Sequence, residues 1–216
     1  MFKKSFLTGT VVLIIISFIA VSWAAELLPI KLPPPNLNSG KSLMQSLQAR
    51  KSSRDFSTKK LPVEVLSNLL WAACGINRPE SGRRTAPSAV NWQKVDIYVA
   101  MADGLYLYNA KEHVLKPVIN QDIRALTGKQ TFVKDAPVNL IYVADYSRMG
   151  GANAEERNSY SAADTAFIAQ NVYLYCASEG LATVVRGSIY RDVLAKAMQL
   201  LDNQRIILSQ TVGYPK

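Results

Sequence analysis

Basic residues that stand close together are the first chemical signal in this chain. After the extreme N-terminus they cluster at Arg50-Lys51 with Arg54, at Lys59-Lys60 and at Arg83-Arg84, and are scattered elsewhere. Clusters this small suit an anionic small ligand held by charge-assisted bonds; the plain alternative at Arg50 to Arg54 is a solvated turn. Nucleic acid is disfavoured as a partner, because no basic stripe is interleaved with stacking aromatics. One histidine, His113, and two cysteines, Cys74 and Cys176, are too few soft ligands for a zinc site, and no cysteine-histidine nucleophile pair is supported. Both cysteines lie in apolar, helix-like segments and read as buried thiols, with a disulfide as the alternative in an oxidising compartment. His113 reads as a surface residue near a hairpin.

These residues need elements to hold them. Ser42 to Ala49 has helical spacing, and Leu61-Pro62 opens a second helix running to Cys74, with Val65, Leu66, Leu69 and Leu70 on one side. Asn77 to Asn91 has no apolar period and reads as a long loop, a length that in compact domains is often functional. Val95 to Met101 alternates as a strand, with Gly104 to Tyr108 as its hairpin partner. Asp122 to Leu126 is a short helix, and Val138 to Ala144 is apolar enough to be a central strand. Tyr146 to Asn158 reads as a polar loop, Ala162 to Glu179 as the longest helix, Leu181 to Val185 as β, Asp192 to Leu201 as helix and Arg205 to Val212 as a last strand. Strands and helices mixed in this order imply an α+β layer structure.

The N-terminus stands apart. Lys3 and Lys4 precede an apolar run from Val12 to Val21, and Ser22-Trp23-Ala24 offers small residues where a signal peptidase reads. Residues 1–24 are therefore expected to be a signal peptide that exports the chain to the periplasm or beyond. An uncleaved membrane anchor over Phe6 to Ala25 is the competing reading. Residues 25–41, rich in proline and asparagine, read as an extended arm, leaving 42–216 as one domain. The formal charge of +9 becomes +7 without Lys3 and Lys4.

Five motifs in order, from about Ser42 to the C-terminus, resemble the nitroreductase-like FMN flavoprotein superfamily, and within it the SagB-type dehydrogenase branch. They are Arg50-Lys51-Ser52-Ser53-Arg54-Asp55-Phe56; Arg84-Thr85-Ala86-Pro87-Ser88-Ala89-Val90-Asn91-Trp92-Gln93; Asp135-Ala136-Pro137-Val138; Gln170-Asn171-Val172-Tyr173-Leu174 with Gly180-Leu181-Ala182-Thr183; and Val184-Val185-Arg186-Gly187 with the ending Val212-Gly213-Tyr214-Pro215. The resemblance implies a nitroreductase-like fold, a mostly antiparallel sheet flanked by helices, working as a homodimer with shared flavin pockets. It implies FMN as cofactor and hydride or electron transfer through flavin N5 to a small planar organic substrate.

It also implies roles. Arg50, Lys51 and Ser52 would take the FMN phosphate. Arg54 would face the N1/C2=O2 edge that becomes negative on reduction. Pro87, Ser88, Ala89 and Asn91 would line the flavin of the partner subunit. Val185, Arg186 and Gly187 would bring backbone to N5, with Gly187 allowing close approach. No catalytic side chain is expected, since the flavin carries the chemistry and the protein supplies orientation and electrostatics. Gln170-Asn171 reads as a hydrogen-bonded core pair, and Arg148, Arg157 and Tyr160 could reach the flavin face. Many relatives continue past Gly-Tyr-Pro with a basic tail that reaches the FMN phosphate, whereas this sequence ends at Lys216; the contact is expected either to be missing or to be made by Lys216 itself, with phosphate binding resting more on Arg50 to Arg54. The alternative to an enzyme is an exported flavin-binding or interaction protein of the same fold without turnover.

Overall fold

A computed structural model of the protein describes residues 26–216. The expected signal peptide, residues 1–24, lies outside them. Seven strands form one sheet in the order β1-β6-β5-β4-β7-β9-β8, every pair antiparallel. They are β1 (Ile30–Lys31), β4 (Val95–Met101), β5 (Gly104–Asn109), β6 (Val114–Ile119), β7 (Val138–Asp145), β8 (Ala182–Arg186) and β9 (Gln204–Gly213). Two short strands, β2 (Ile76–Arg78) and β3 (Arg83–Arg84), pair apart from it, and the described residues form four α-helices besides short 3-10 turns: α1 (Leu43–Ala49), α2 (Val63–Cys74), α3 (Ala154–Glu179) and α4 (Arg191–Ala197). The fold is thus the α+β class expected from the sequence. Among the described residues no helix is long and apolar enough to cross a membrane.

Period-two alternation divides the apolar residues between the sheet faces. Val95, Ile97 and Val99 of β4, with Leu140 and Tyr142 of β7, pack against Leu66, Leu69 and Leu70 of α2 and Ile168, Val172 and Cys176 of α3. Tyr98 and Ala100, with Ile141 and Val143, face the other way and meet Leu194 and Met198 around α4. The central β7 is buried along nearly its whole length, as its dense apolar run implied. Both cysteines are free and buried on the α2–α3 side. Burial pushes the Cys74 thiol up, against the lowering effect of nearby Arg84.

The structure departs from the sequence reading at five points. The long helix begins at Ala154, inside the stretch read as a loop to Asn158: the Asn153 side chain accepts from Glu156 N at 3.0 Å and Glu156 Oε2 accepts from Asn153 N at 2.8 Å. This reciprocal capping nucleates a first turn that has no apolar face of its own. β6 was not anticipated, and the Asn77–Asn91 loop contains the β2–β3 pair. α4 ends at Ala197, short of Leu201. His113 is not a surface residue: half-buried, it contacts Tyr108 Oη through Nδ1 at 3.0 Å and Ser67 Oγ through Nε2 at 2.7 Å. Ser67 Oγ donates in turn to Pro33 O, so this chain of bonds straps the arm against α2.

Candidate functional site

The Arg50–Phe56 turn follows α1 and runs beside β8. Ser53 N donates to Thr183 O at 2.9 Å, which fixes the turn along that edge strand. A tyrosine of α3 makes the central link. The Tyr173 hydroxyl, on α3, accepts from Val185 N at 3.0 Å and lies 2.8 Å from Ser52 Oγ. The Arg50 guanidinium stands 5.5 Å from the Tyr173 ring centre, within cation–π range. Arg50, Lys51, Ser52 and Arg54 are all exposed, and among the described residues none of the three cations has an ion-pair partner. The fold thus brings the basic turn and the end of β8 to one place.

Beyond β8, Gly187 is exposed, and a Cβ there would meet only Leu208 Cδ2, at an ordinary 3.7 Å. Packing within the chain therefore does not demand glycine at 187. Arg186 turns its side chain away into the protein: Nη1 donates to Thr127 O at 2.6 Å and Nη2 to Asn139 Oδ1 at 3.0 Å. Burial lowers its pKa to about 10.

The second predicted group lies elsewhere. Pro87 and Asn91 are exposed, Ser88 and Ala89 half-buried, on a loop where Val90, Asn91 and Gln93 take φ of 52°, 55° and 47°. For a β-branched residue such as Val90 this is costly and has to be held by its surroundings. The holder is Asp164 on α3, 3% exposed, which the sequence reading missed. It accepts from Ser88 Oγ at 2.7 Å, from Ala89 N at 3.2 and 3.3 Å, and from the ammonium of Lys94, which has no exposed surface. Ser88 Oγ accepts from Gln93 N at 2.9 Å, closing the loop on itself, and Gln93 Nε2 donates to Asn91 Oδ1 at 3.1 Å. Asp164 and Tyr173 are nine residues apart on one helix, a rise of about 13 Å. Within one chain, then, the two groups are held at separate stations along α3.

Other candidates are engaged elsewhere. Arg148 pairs with Asp96 at 2.6 Å, and Tyr160 packs on Trp92 with ring centres 5.8 Å apart. Arg157 lies 6.0 Å from the Tyr146 ring centre. Gln170 is exposed and Asn171 only half-buried, so they are not the expected core pair. Arg84 donates to Gln93 Oε1 at 2.8 Å and braces the strained loop from below.

Comparison with known proteins agrees with this architecture. A model of the nitroreductase family matches residues 47–214. A nitroreductase homologue of Methanocaldococcus jannaschii is 30% identical over 169 residues, 74% of this chain and 85% of that protein. A solved nitroreductase homologue from Ralstonia eutropha JMP134 is similar with a TM-score of 0.83 at 45% identity, covering 87% of this chain and 90% of the other. Two further structures share the fold. One is the E. coli microcin synthetase complex, with TM-score 0.70 at 17% identity over 94% of this chain and 85% of that one. The other is the NADPH:FMN oxidoreductase of Vibrio harveyi complexed with NAD+, with TM-score 0.62 at 20% identity over 81% and 69%. The chain belongs to the nitroreductase family.

Proposed function

We propose that the protein is an exported, homodimeric, FMN-dependent oxidoreductase acting on a small planar organic substrate. The observation that carries this is the surface turn of Arg50, Lys51, Ser52 and Arg54, whose three cations have no ion-pair partner among the described residues and which Tyr173 ties to the backbone just before Gly187. Such a donor set fits a phosphate dianion. A glycine that packing within the chain does not require fits a ligand that comes close to backbone. The FMN named for the Vibrio harveyi relative supports the same cofactor here.

FMN, when bound, supplies two-electron hydride chemistry through N5. Arg50, Lys51 and Ser52 would hold its phosphate. Arg54 would stand at the ring edge that gains negative charge on reduction, and the Val185–Gly187 backbone would bear on N5. Pro87, Ser88, Ala89 and Asn91 would reach the flavin of a second subunit; in their own chain their loop hangs from Asp164, a rise of about 13 Å along α3 from Tyr173. Leu43, Met44 and Leu47 of α1 and Phe167 of α3 expose apolar surface that such a subunit would cover.

Residues 1–24 act, in this reading, as a signal peptide. An exported enzyme would then draw electrons from a donor other than NAD(P)H, and rapid-mixing reduction by NADPH at turnover rates would refute that part. The direct test is the absorption spectrum of the chain from Ala25 onward with excess FMN, after gel filtration. A stoichiometric flavin spectrum is expected, lost in Arg50→Ala/Arg54→Ala. Failure of the unmutated protein to retain FMN would sink the assignment.

A further inference from the structure

Three charged residues are buried among the described residues: Lys94, Asp164 and Arg186. The first two neutralise each other. Arg186, 4% exposed, has no carboxylate partner among the described residues; its ligands are the neutral oxygens of Thr127 and Asn139. Its Nε is buried without a partner, and so is Oε1 of Gln130. These groups adjoin: a Cβ on Gly128 would fall 1.8 Å from Arg186 Nη1 and 2.9 Å from Gln130 Oε1, so glycine lets the backbone close around the guanidinium. An uncompensated buried charge works against folding. A neutral side chain of similar volume would fill this space at less expense.

The position of the charge gives it a use. Arg186 is the last residue of β8, and its neighbour in the chain is the exposed Gly187. On one side of β8, Tyr173 fixes the amide of Val185; on the other, the Arg186 fork ties the strand to β7 through Asn139 and to the segment after Arg124 through Thr127. Asn139 is itself locked, accepting from Thr211 Oγ1 at 2.6 Å and donating to Val133 O at 2.8 Å.

We propose that Arg186 is a positioning residue for the flavin site: its guanidinium pins the end of β8, and its uncompensated positive charge favours the reduced, anionic flavin over the oxidised one. The inference rests on the FMN reading above. The charge acts through the protein interior, where it is weakly screened, and the side chain itself does not touch the substrate.

The experiment compares the two-electron midpoint potential of bound FMN in the full-length mature protein, Gln130→Glu, Arg186→Gln and Arg186→Lys, by dithionite titration against a reference dye. Gln130→Glu leaves the arginine in place and supplies the carboxylate it lacks. It is expected to raise thermal stability and to lower the preference for reduced over oxidised FMN about tenfold, which is about 30 mV for a two-electron couple. Arg186→Gln is expected to lower the potential similarly, and Arg186→Lys to retain it while amide exchange at Val185–Gly187 quickens. A Gln130→Glu protein that binds FMN with the potential of the unmutated protein overturns the electrostatic role. Unchanged exchange at Val185–Gly187 in both Arg186 variants overturns the positioning role. Failure of the FMN reading shows separately, as no bound flavin in the unmutated protein.

Discussion

Asp164 offers the sharpest perturbation of the fold. Its carboxylate neutralises Lys94, whose side chain has no exposed surface, while accepting from Ser88 Oγ and Ala89 N. Asp164→Ala leaves the ammonium buried without a counter-charge, which costs about 3–5 kcal/mol when one partner of a buried pair is removed. The Ser88 and Ala89 donors lose their acceptor as well, adding about 1 kcal/mol each where water cannot replace it. Against a domain stability of about 5–15 kcal/mol the variant is expected to fold with a much reduced margin.

The double variant Lys94→Met/Asp164→Leu separates the charge from the loop. It removes both ions and should recover most of the loss, ending within about 2 kcal/mol of the unmutated protein, because an apolar pair replaces a buried ion pair at little cost. It cannot restore the anchor of the strained Ser88–Gln93 turn. Urea denaturation of the three proteins gives the energies, and trypsin cleavage after Arg83 and Arg84 reports the loop. The expected pattern is a recovered transition with faster cleavage. A cost below about 1 kcal/mol for Asp164→Ala, or native protease resistance in the double variant, would refute the view that this carboxylate holds the loop.

Burial lowers the pKa of His113, an effect partly offset by Pro33 O, 3.1 Å from its Nε2, so its protonation favours the unfolded chain. The stability it confers is present above the ordinary histidine value and lost as pH falls through it; thermal melts should weaken between about pH 7 and 5, and His113→Phe should flatten that slope. Neither cysteine is expected to react with a thiol reagent in the native protein, because burial raises both thiols. Both should react in denaturant without reductant, and absence of that reaction would reveal a disulfide. Tyr173→Phe removes the acceptor of Val185 N and the partner of Ser52. A loss of about 1–2 kcal/mol is expected in denaturation, together with weaker FMN retention on gel filtration.

What the sequence made legible followed from periodicity and composition. β4 was read with the bounds it has, because Val95 to Met101 alternates cleanly, and β7 because Leu140 to Ala144 is continuously apolar despite Asn139 before it. The first turns of α3 were hidden, since Ala154 to Tyr160 present no apolar stripe; the usable signal was Asn153 with Glu156, the pattern of a capping box. β6 was obscured by Pro117, which a central strand excludes. Here the two-residue β1 pairs only with Val114 and Leu115, so no neighbour on that side needs a donor from Pro117. The basic turn and Gly187 were legible as motifs. Their linkage through Tyr173 was not, because a tyrosine in an apolar helix reads as packing. Lys94 and Asp164 were missed because they meet across 70 residues of sequence, and each alone looks like a surface charge.

The two buried cations show how differently one fold can treat the same charge. Lys94 lies under a loop that serves only if its shape is fixed, and the chain gives it a carboxylate that also accepts from that loop's Ser88 Oγ and Ala89 N. A cluster in which the two charges cancel sets geometry and adds little field. Arg186 receives only carbonyl oxygens, although Gln130 stands close enough for a carboxylate to have served. Its hydrogen bonds can fix β8 as firmly as a salt bridge would, yet the positive charge stays uncancelled. Geometry alone would be met by the cheaper, compensated arrangement seen at Lys94. The uncompensated one is intelligible where a negative charge arrives later, during turnover, and the exposed backbone after β8 is where the proposed flavin would bring it.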